Sequence, residues 1–403
     1  MPIRHIFTYY NSLGGVQSVL KHHYANDADW NVPSQFVAVF EDSSHDPARL
    51  SPCKQTGLST IRSTRRIFKQ IACQTPPKTQ VYHNLWGLPI FADLDRSPRR
   101  IGLIHSDWPT LKSELDAASH LLDGVLCVSN PLVNTVLKQD IGLDSERVAY
   151  LPYPILKPAS TNANAISSRR NQTSKTPQTL VVGFCGRLVK TQKRVDRLKP
   201  VCDALDSLKV PFRLEILGSG QESPFLENQF RQRKNVIFHG QRSGEAYWQI
   251  LASWDAILFV SDYEGLPISL LEAMSLGVVP IYPRIHSGGD SYAKEVAEEL
   301  LFDPMPAEFS MNAARAVQWL HSRSPSLRLV LSDKATEITK PHSLEDYFRI
   351  FSVFIRRIAE SPRISSSRFS ERPHYWTDHL PYALMERFLR HQFFRKPIRL
   401  SNP

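Results

Sequence analysis

The sequence predicts an α/β protein made of two Rossmann-like domains. Short apolar runs alternate with helix-like segments over residues 1–155, and a second alternating series begins at Leu180. Strands that are separated by helices form βαβ units, which assemble into parallel sheets. Between the two series, residues 157–178 are polar and rich in Ser, Thr, Asn and Pro, which predicts a linker.

The first domain, placed at residues 1–156, contains six candidate strands. They are Ile3–Tyr9, Gln35–Phe40, Thr79–Tyr82, Arg100–Ile104, Gly124–Ser129 and Val148–Leu151. Helical spacing of apolar residues is found between them at Val16–Tyr24, Arg62–Ile71 and Leu132–Gln139.

The second domain, placed at residues 179–360, contains five candidate strands. They are Leu180–Phe184, Leu214–Leu217, Val236–His239, Ile257–Val260 and Val278–Tyr282. Helices are expected between them, and the domain is expected to close with helices near Phe309–Ser322 and Leu344–Ile358. Because ligands of open parallel sheets bind at the carboxyl ends of the strands, two facing domains predict a cleft between them.

Composition and charge narrow the class of protein. Hydrophobic residues make up 42% and charged residues 22%, which excludes a disordered or fibrous chain. No apolar stretch reaches the length of a membrane span, and the N-terminus reads as a strand and turn rather than a signal peptide. We therefore expect a cytoplasmic protein. The five scattered cysteines include no CxxC pair, so reduced thiols are expected rather than disulfides or a zinc site.

The excess positive charge lies at the two ends of the chain. Lys and Arg outnumber Asp and Glu by 19 to 14 in residues 1–178 and by 8 to 3 in the basic tail, residues 361–403, while residues 179–360 hold 22 of each. Such ends suit an anionic membrane surface, nucleic acid or a phosphorylated acceptor. A plain solubilising surface is the alternative.

Three loops that follow predicted strands carry candidate chemistry. In the first, NSLGG, Gly14 and Gly15 let the backbone approach a ligand at a helix N-terminus, where amides attract anions. The dinucleotide and Walker spacings are missing, and a plain turn is the alternative. In the second, GFCGRLVKTQKRVD, Arg187 and Lys193 lie near a helix start, where cations oppose the helix dipole. A diphosphate ligand would account for them.

The third loop is the most informative. In SDYEGLPISLLEAMSLG, Glu264 ends an apolar strand and Pro267 suits the first turn of a helix that contains Glu272. The strand end and the helix can present two carboxylates to one site, with helix-start amides between them. Carboxylates suit sugar and ribose hydroxyls, and amides suit phosphate oxygens.

Together these segments resemble the family-4 nucleotide-sugar glycosyltransferases, which have the GT-B fold. SDYEGLPISLLEAMSLGVVPI resembles their two-glutamate signature, GFCGRLVKTQKRVDRL their phosphate-binding stretch, and NSLGGVQSVL their N-terminal Gly-Gly loop. LEILGSG and NVIFHGQ resemble the intervening strands, in the same order. The resemblance is close over most of 180–300 and loose over 1–155.

The resemblance implies a role for each matching residue. Arg187 and Lys193 would bind the donor diphosphate, Glu264 would contact the donor sugar, and Glu272 would bind the ribose. The donor phosphates would also be lined by Gly265, Leu266 and Pro267.

On the other side of the donor, Gly14 and Gly15 would contact the phosphate or acceptor. His105, in GLIHSDW, resembles the active-site histidine of many relatives. His83 also follows a predicted strand and is a second candidate.

The implied reaction moves a sugar from a nucleoside-diphosphate sugar to a glycan or lipid-linked acceptor, with retention of configuration. Arg187, Lys193 and backbone amides would stabilise the departing diphosphate, so neither a metal nor another cofactor is expected. Three positions differ from the family pattern: Gln17 replaces an acid, Arg194 a glycine, and Arg284–Ser287 is an unusual segment before Gly288.

Other functions stay open. A nucleotide-sugar epimerase or a phosphorylase can share the fold, and a nucleic-acid-binding protein would suit the basic pI but not the paired glutamates. A non-catalytic carbohydrate-binding relative is disfavoured by the complete set of charged residues. The aromatic and basic residues of 382–394 suit either a helix packed on the first domain or one lying on an anionic membrane at the cytoplasmic face.

Overall fold

The computed structural model describes residues 2–11, 14–41, 44, 46, 48–53, 59–74, 76–158, 179–364, 372 and 375–381. The chain divides into two compact units. The first contains Met1–Leu151 and Tyr347–Pro403, and the second contains Pro152–Asp346. The predicted linker, from residue 159, and the predicted tail helix at 382–394 lie outside the described residues.

The first unit contains a seven-stranded sheet. Its strands are β1 (Ile3–Phe7), β2 (Ser34–Ala38), β3 (Leu50–Pro52), β4 (Thr79–His83), β5 (Arg99–Ile104), β6 (Gly124–Cys127) and β7 (Val148–Tyr150). Its first five helices are α1 (Gly15–Asn26), α2 (Ile61–Gln74), α3 (Leu88–Phe91), α4 (Leu111–Ala118) and α5 (Asn130–Lys138).

This first sheet is parallel throughout, in the order β3-β2-β1-β4-β5-β6-β7. The residues of β1, β4 and β6 are all buried, because helices cover both faces of such a sheet. The alternating strands and helices that the sequence predicted here are confirmed.

The second unit contains a six-stranded sheet. Its strands are β8 (Leu180–Cys185), β9 (Phe212–Leu217), β10 (Val236–Gly240), β11 (Ala256–Leu258), β12 (Val279–Pro283) and β13 (Leu301–Phe302). Its helices are α6 (Leu198–Ser207), α7 (Ser223–Gln229), α8 (Gly244–Ala252), α9 (Ile268–Ser275), α10 (Gly288–Val296), α11 (Phe309–His321) and α12 (Pro325–Ile338), and α13 (Leu344–Glu360) follows.

The second sheet is also parallel, in the order β10-β9-β8-β11-β12-β13. In both sheets the order reverses beside the first strand of the unit, at β1 and at β8. Loops that leave neighbouring strands at such a reversal diverge, which opens a ligand-binding crevice at the carboxyl edge.

Helix α13 differs from its predicted place. The sequence predicts it within the second domain, at residues 179–360, whereas from Tyr347 onward the chain belongs to the first unit. The Tyr347 hydroxyl is 2.8 Å from His23 Nε2, and the Phe351 ring stacks on His5 at 5.9 Å. The apolar period of the helix predicts a buried face but not the sheet that the face covers.

The described part of the tail also joins the first unit. Arg363 donates to the backbone carbonyls of Arg96 and Pro98, and Arg372 pairs with the buried Asp378. Among the described residues, no helix is both long and apolar enough to cross a membrane.

The cysteines agree with the sequence prediction. All five are free, and Cys127 and Cys185 are buried.

Candidate active site

The loop after β8 positions Arg187 at the carboxyl edge of the second sheet. Arg187 is exposed and donates to Gln192 Oε1 at 3.0 Å. The neighbouring loop after β9 passes so close that a Cβ atom on Gly218 would lie 2.0 Å from the carbonyl oxygen of Gly186. Gly218 also has a φ of +142°, so only glycine fits there.

Lys193 and Glu264 form an ion pair at the same edge, where the loops after β8 and β11 meet. Lys193 Nζ is 2.6 Å from Glu264 Oε1, and both side chains are largely buried. Ser261 Oγ donates to the same carboxylate oxygen at 2.7 Å, and Gln192 Nε2 donates to the other at 3.3 Å. Gln192 thus links Arg187 to the ion pair and gives the site a continuous polar network.

The segment after Glu264 leads directly into helix α9. Leu266 is buried, and Pro267 caps the helix, with its carbonyl accepting from the Leu270 amide at 3.1 Å. The Gly265 carbonyl accepts from the Gly288 amide at 2.6 Å, so the loop after β11 is held against the start of α10.

The unusual segment Arg284–Ser287 ends at the capped N-terminus of α10. Ser287 and Asp290 form a reciprocal cap at the start of α10, and the Tyr282 hydroxyl lies 2.8 Å from Ser287 Oγ. This segment is therefore built to hold a helix N-terminus beside Gly265.

Glu272 lies in α9 and contacts a different partner. Its carboxylate accepts a short hydrogen bond from the Tyr247 hydroxyl, which also lies 3.7 Å from Cys185 Sγ. Burial raises the pKa of Glu272 to about 7, although the bond from Tyr247 opposes the rise. The described contacts include no hydrogen bond that joins Glu264 to Glu272.

The Gly-Gly loop lies in the first unit, at the carboxyl end of β1. Helix α1 begins at Gly15, and Gly14 precedes it as the N-cap. The Glu41 carboxylate accepts from the amides of Tyr10 and Asn11 at 3.0 and 2.7 Å, which fixes the start of the loop.

His105 and His83 lie side by side in the first unit. His105 follows β5 and is 6% exposed, while His83 ends β4 and is 1% exposed. Their rings stack at 5.1 Å, and His105 Nε2 is 2.8 Å from His83 Nδ1. Burial lowers the pKa of His105 to about 3, so its imidazole is neutral at neutral pH.

The structure thus joins Arg187, Lys193 and Glu264 in one hydrogen-bonded network, while Glu272, in α9, contacts Tyr247. Sequence reasoning missed Gln192, Ser261 and Tyr247. Gln192 and Ser261 adjoin predicted site residues, and their polar character was a usable signal. Tyr247 is separated by 25 residues from the glutamate that it contacts.

Comparison with known proteins identifies a similar family and similar folds. Residues 166–337 match the family described as glycosyl transferases group 1. A curated relative, the lipopolysaccharide 1,6-galactosyltransferase of Salmonella typhimurium, is 32% identical over 129 residues, which span 30% of this chain and 34% of the relative. The chain therefore matches about a third of that relative's length.

Two solved structures match nearly the whole chain. The apo lipopolysaccharide outer core galactosyltransferase WaaB has a TM-score of 0.65 and 18% identity, covering 88% of this chain and 99% of its own. Anabaena HepE in complex with UDP and glucose has a TM-score of 0.65 and 16% identity, covering 87% and 98%.

The fold is that of the GT-B glycosyltransferases, as the sequence predicted. Within it, residues 166–337 match the glycosyl transferases group 1 model, which covers less than half of the chain.

Proposed function

We propose that this protein is a retaining glycosyltransferase that moves a sugar from a nucleoside-diphosphate sugar to an acceptor hydroxyl. The observation that carries the proposal is the Lys193–Glu264 ion pair, linked through Gln192 to the exposed Arg187. Two cations and a carboxylate at the carboxyl edge of a parallel sheet suit a ligand that has both a diphosphate and sugar hydroxyls.

The chemistry follows from the charges that develop during transfer. As the glycosidic bond to the diphosphate breaks, positive charge grows on the sugar ring and negative charge on the leaving group. Lys193 and Arg187 supply fixed positive charge to the leaving diphosphate, so the reaction proceeds without a metal ion. The Glu264 carboxylate, held by Ser261 and Lys193, accepts hydrogen bonds from hydroxyls of the donor sugar.

The remaining predicted site residues contact other parts of the donor or the acceptor. Glu272 accepts the ribose hydroxyls, and the backbone of Gly265, Leu266 and Pro267 contacts the phosphates. In the first unit, His105 and the Gly14–Gly15 loop contact the sugar or the acceptor.

The names of similar proteins guide the choice of substrates. HepE was solved with UDP and glucose, so UDP-sugars are the first donors to test. The matched Salmonella enzyme acts on lipopolysaccharide, which favours a glycan on a lipid carrier as acceptor. Such an acceptor would bring the protein to an anionic membrane surface as a peripheral protein.

The test incubates the protein with a panel of UDP-, GDP-, ADP- and TDP-sugars, with and without candidate acceptors. The measurement is the release of the nucleoside diphosphate. We expect one donor to be consumed even when EDTA is present. The anomeric configuration of the sugar in the product should be the same as in the donor. Conversion of the donor to an epimer without release would instead identify an epimerase. No turnover or binding of any donor would refute the proposal.

Variants of the second unit connect the activity to this site. Glu264→Gln should lower turnover. Lys190→Ala is the control, because Lys190 is exposed in the loop after β8 that carries Lys193 and pairs with Glu222. Equal activity in the wild type and the Glu264→Gln variant would remove the site from the proposal.

A further inference from the structure

Arg194 is unusual in its backbone as well as in its departure from the family pattern, which has glycine there. Its φ of +46° and ψ of +45° lie in the left-handed region, where glycine is comfortable and a residue with a side chain is not. It ends the loop after β8, directly before a short 3-10 turn over Val195–Arg197. A side chain that persists at such a position needs compensating contacts, so the contacts of Arg194 indicate its role.

The Arg194 guanidinium lies between two carboxylates. Its Nη1 donates to Asp262 Oδ2 at 2.9 Å, while Nε and Nη2 donate to the two oxygens of Asp196 at 3.2 and 3.1 Å. Asp196 belongs to the turn that follows Arg194, but Asp262 lies in the loop after β11, 68 residues away in the sequence. The contact with Asp262 therefore joins two separate loops.

Asp262 is held from its other side by Arg197. Arg197 Nη2 is 2.7 Å from Asp262 Oδ1, and Arg197 Nη1 donates to the Val260 carbonyl at 2.9 Å. The Arg197 side chain is largely buried, and its guanidinium lies over the Phe309 ring at 4.1 Å. Arg194 thus binds a carboxylate that is already fixed by a packed arginine.

The Arg194–Asp262 pair, called here the outer pair, joins the same two loops as the Lys193–Glu264 pair, the inner pair. The side chains of the outer pair are 31% and 39% exposed, and those of the inner pair 12% and 6%. The backbone joins the loops as well, because the Asp262 amide donates to the Gln192 carbonyl at 3.0 Å. Three consecutive residues of one loop therefore bind a three-residue segment of the other.

We propose that Arg194 is a positioning residue that, through Asp262, holds the loop of Lys193 against the loop of Glu264. A glycine would adopt the left-handed backbone without strain but would make neither carboxylate contact. The outer pair thus fixes the Lys193 side chain before any ligand binds. The part that Lys193 plays toward a donor diphosphate rests on the proposed function, whereas the fixing of its side chain does not.

The competing explanation is that Arg194 is merely tolerated. Its guanidinium lies near the surface, and exposed ion pairs often contribute little. The two explanations differ in what glycine would do. If Arg194 is only tolerated, Arg194→Gly relieves backbone strain and leaves Lys193 as it was. If Arg194 positions the loop, the same substitution releases Lys193.

The release of Lys193 can be measured on the full-length protein without a ligand. A limiting amount of acetic anhydride acylates uncharged amines, and peptide mass spectrometry gives the rate at each lysine. Lys190 lies exposed in the same loop and is the internal reference. In Arg194→Gly we expect Lys193 to react at least about threefold faster relative to Lys190. Loss of the neighbouring positive charge alone favours the unreactive protonated amine, so a faster rate reports release of the side chain.

Lys209→Gly is the matched control. Lys209 also has a left-handed backbone, with a φ of +55°, and its side chain is exposed. In the part of the chain that the structure describes, Lys209 forms no ion pair. Both variants place glycine at a left-handed position and remove one positive charge, but only Arg194→Gly removes a contact between the loops. An unchanged Lys193 rate in Arg194→Gly, or an equal rise in both variants, would overturn the proposal.

Asp262→Asn tests the partner of Arg194. The variant keeps the backbone amide that binds Gln192 but loses the charge that Arg194 and Arg197 share. We expect its Lys193 rate to rise as in Arg194→Gly, with little further rise in the double variant, because both substitutions remove the same contact. Rises that multiply in the double variant would show that the two residues act separately and would refute the positioning role. Should Arg194→Gly not fold, Asp262→Asn alone decides.

Calorimetry with UDP connects the loop to the proposed function. If Lys193 binds a diphosphate, Arg194→Gly should weaken UDP binding about threefold to tenfold relative to Lys209→Gly, the range for one or two exposed ion pairs. High salt should reduce this difference, because salt screens exposed charges. If the Lys193 rate rises while UDP affinity stays unchanged, the positioning role stands and the place of Lys193 at the diphosphate is wrong.

Discussion

Replacing Glu272 by glutamine should stabilise the protein at pH 8 and leave its stability at pH 5 nearly unchanged. Burial raises the pKa of this carboxyl from an ordinary 4.5 to about 7. The folded protein therefore holds a proton between these two pH values that the unfolded chain has already released. The free energy of unfolding then falls as the pH rises from 4.5 to 7, and it stays at the lower value above pH 7.

The size of the effect follows from the two pKa values. Their difference, about 2.5, corresponds to about 3 kcal/mol at 1.36 kcal/mol per pKa unit, which is an upper limit for a partly exposed side chain. Glutamine carries no charge and can still accept from the Tyr247 hydroxyl, so it avoids this cost. In a domain of 150–250 residues, 1 kcal/mol changes the melting temperature by about 2–4 °C.

The assay compares melting temperatures of the wild type and Glu272→Gln at pH 5 and pH 8. We expect the variant to melt above the wild type at pH 8, by up to about 6–12 °C, and close to it at pH 5. Glu227→Gln on the surface of α7 is the matched control and should give the same difference at both pH values. If the difference in melting temperature between Glu272→Gln and the wild type were independent of pH, the pKa of Glu272 would not be raised in the folded protein.

Three further predictions concern ligands. Glu272→Gln should also weaken donor binding tenfold to a hundredfold, because a hydrogen bond to a charged group contributes about 1.5–3 kcal/mol. Calorimetry with the nucleoside diphosphate would measure the affinity, and an unchanged affinity would exclude a ribose contact. Arg187→Ala and Lys193→Ala should each lower that affinity, and activity should survive EDTA; activity lost with EDTA and restored by magnesium or manganese would contradict the cation assignment. Truncation after Pro381 removes five Lys and Arg residues and one Glu. Because each basic residue near an anionic surface contributes about 1 kcal/mol to binding, co-sedimentation with anionic liposomes at low salt should fall at least tenfold. If the full-length chain does not bind liposomes, a soluble acceptor is the better proposal.

Much of the fold could be predicted because local sequence patterns determine where most strands and helices form. Buried parallel strands appear as short apolar runs such as Gly124–Cys127, and the helices between them show an apolar period. Elements without such a pattern were missed. Strand β3 has only three residues, and helix α12 has no clear apolar face, although Ser324 and Pro325 mark its start as an N-cap and first residue.

The candidate site was predictable only where its residues lie in one segment. The Glu264 loop and the Lys193 loop each carry a local pattern, and the parallel sheet places both at its carboxyl edge. The hydrogen bond between Tyr247 and Glu272 joins two helices that pack in the tertiary structure, which no period in the sequence encodes. The hydrogen bonds that join His5 to His83 and His83 to His105 likewise depend on the strand order β1-β4-β5.

The return of the chain to the first unit has a consequence for synthesis on the ribosome. Residues 2–151 emerge first, but the core around His5 and His23 is closed by Tyr347 and Phe351, which are made almost two hundred residues later. Until then, the nascent first sheet exposes an apolar surface and buried-type histidines to water, while the second unit is already complete and can fold as a unit. The inserted second unit can therefore close before the N-terminal unit, whose core is completed only when α13 has been made.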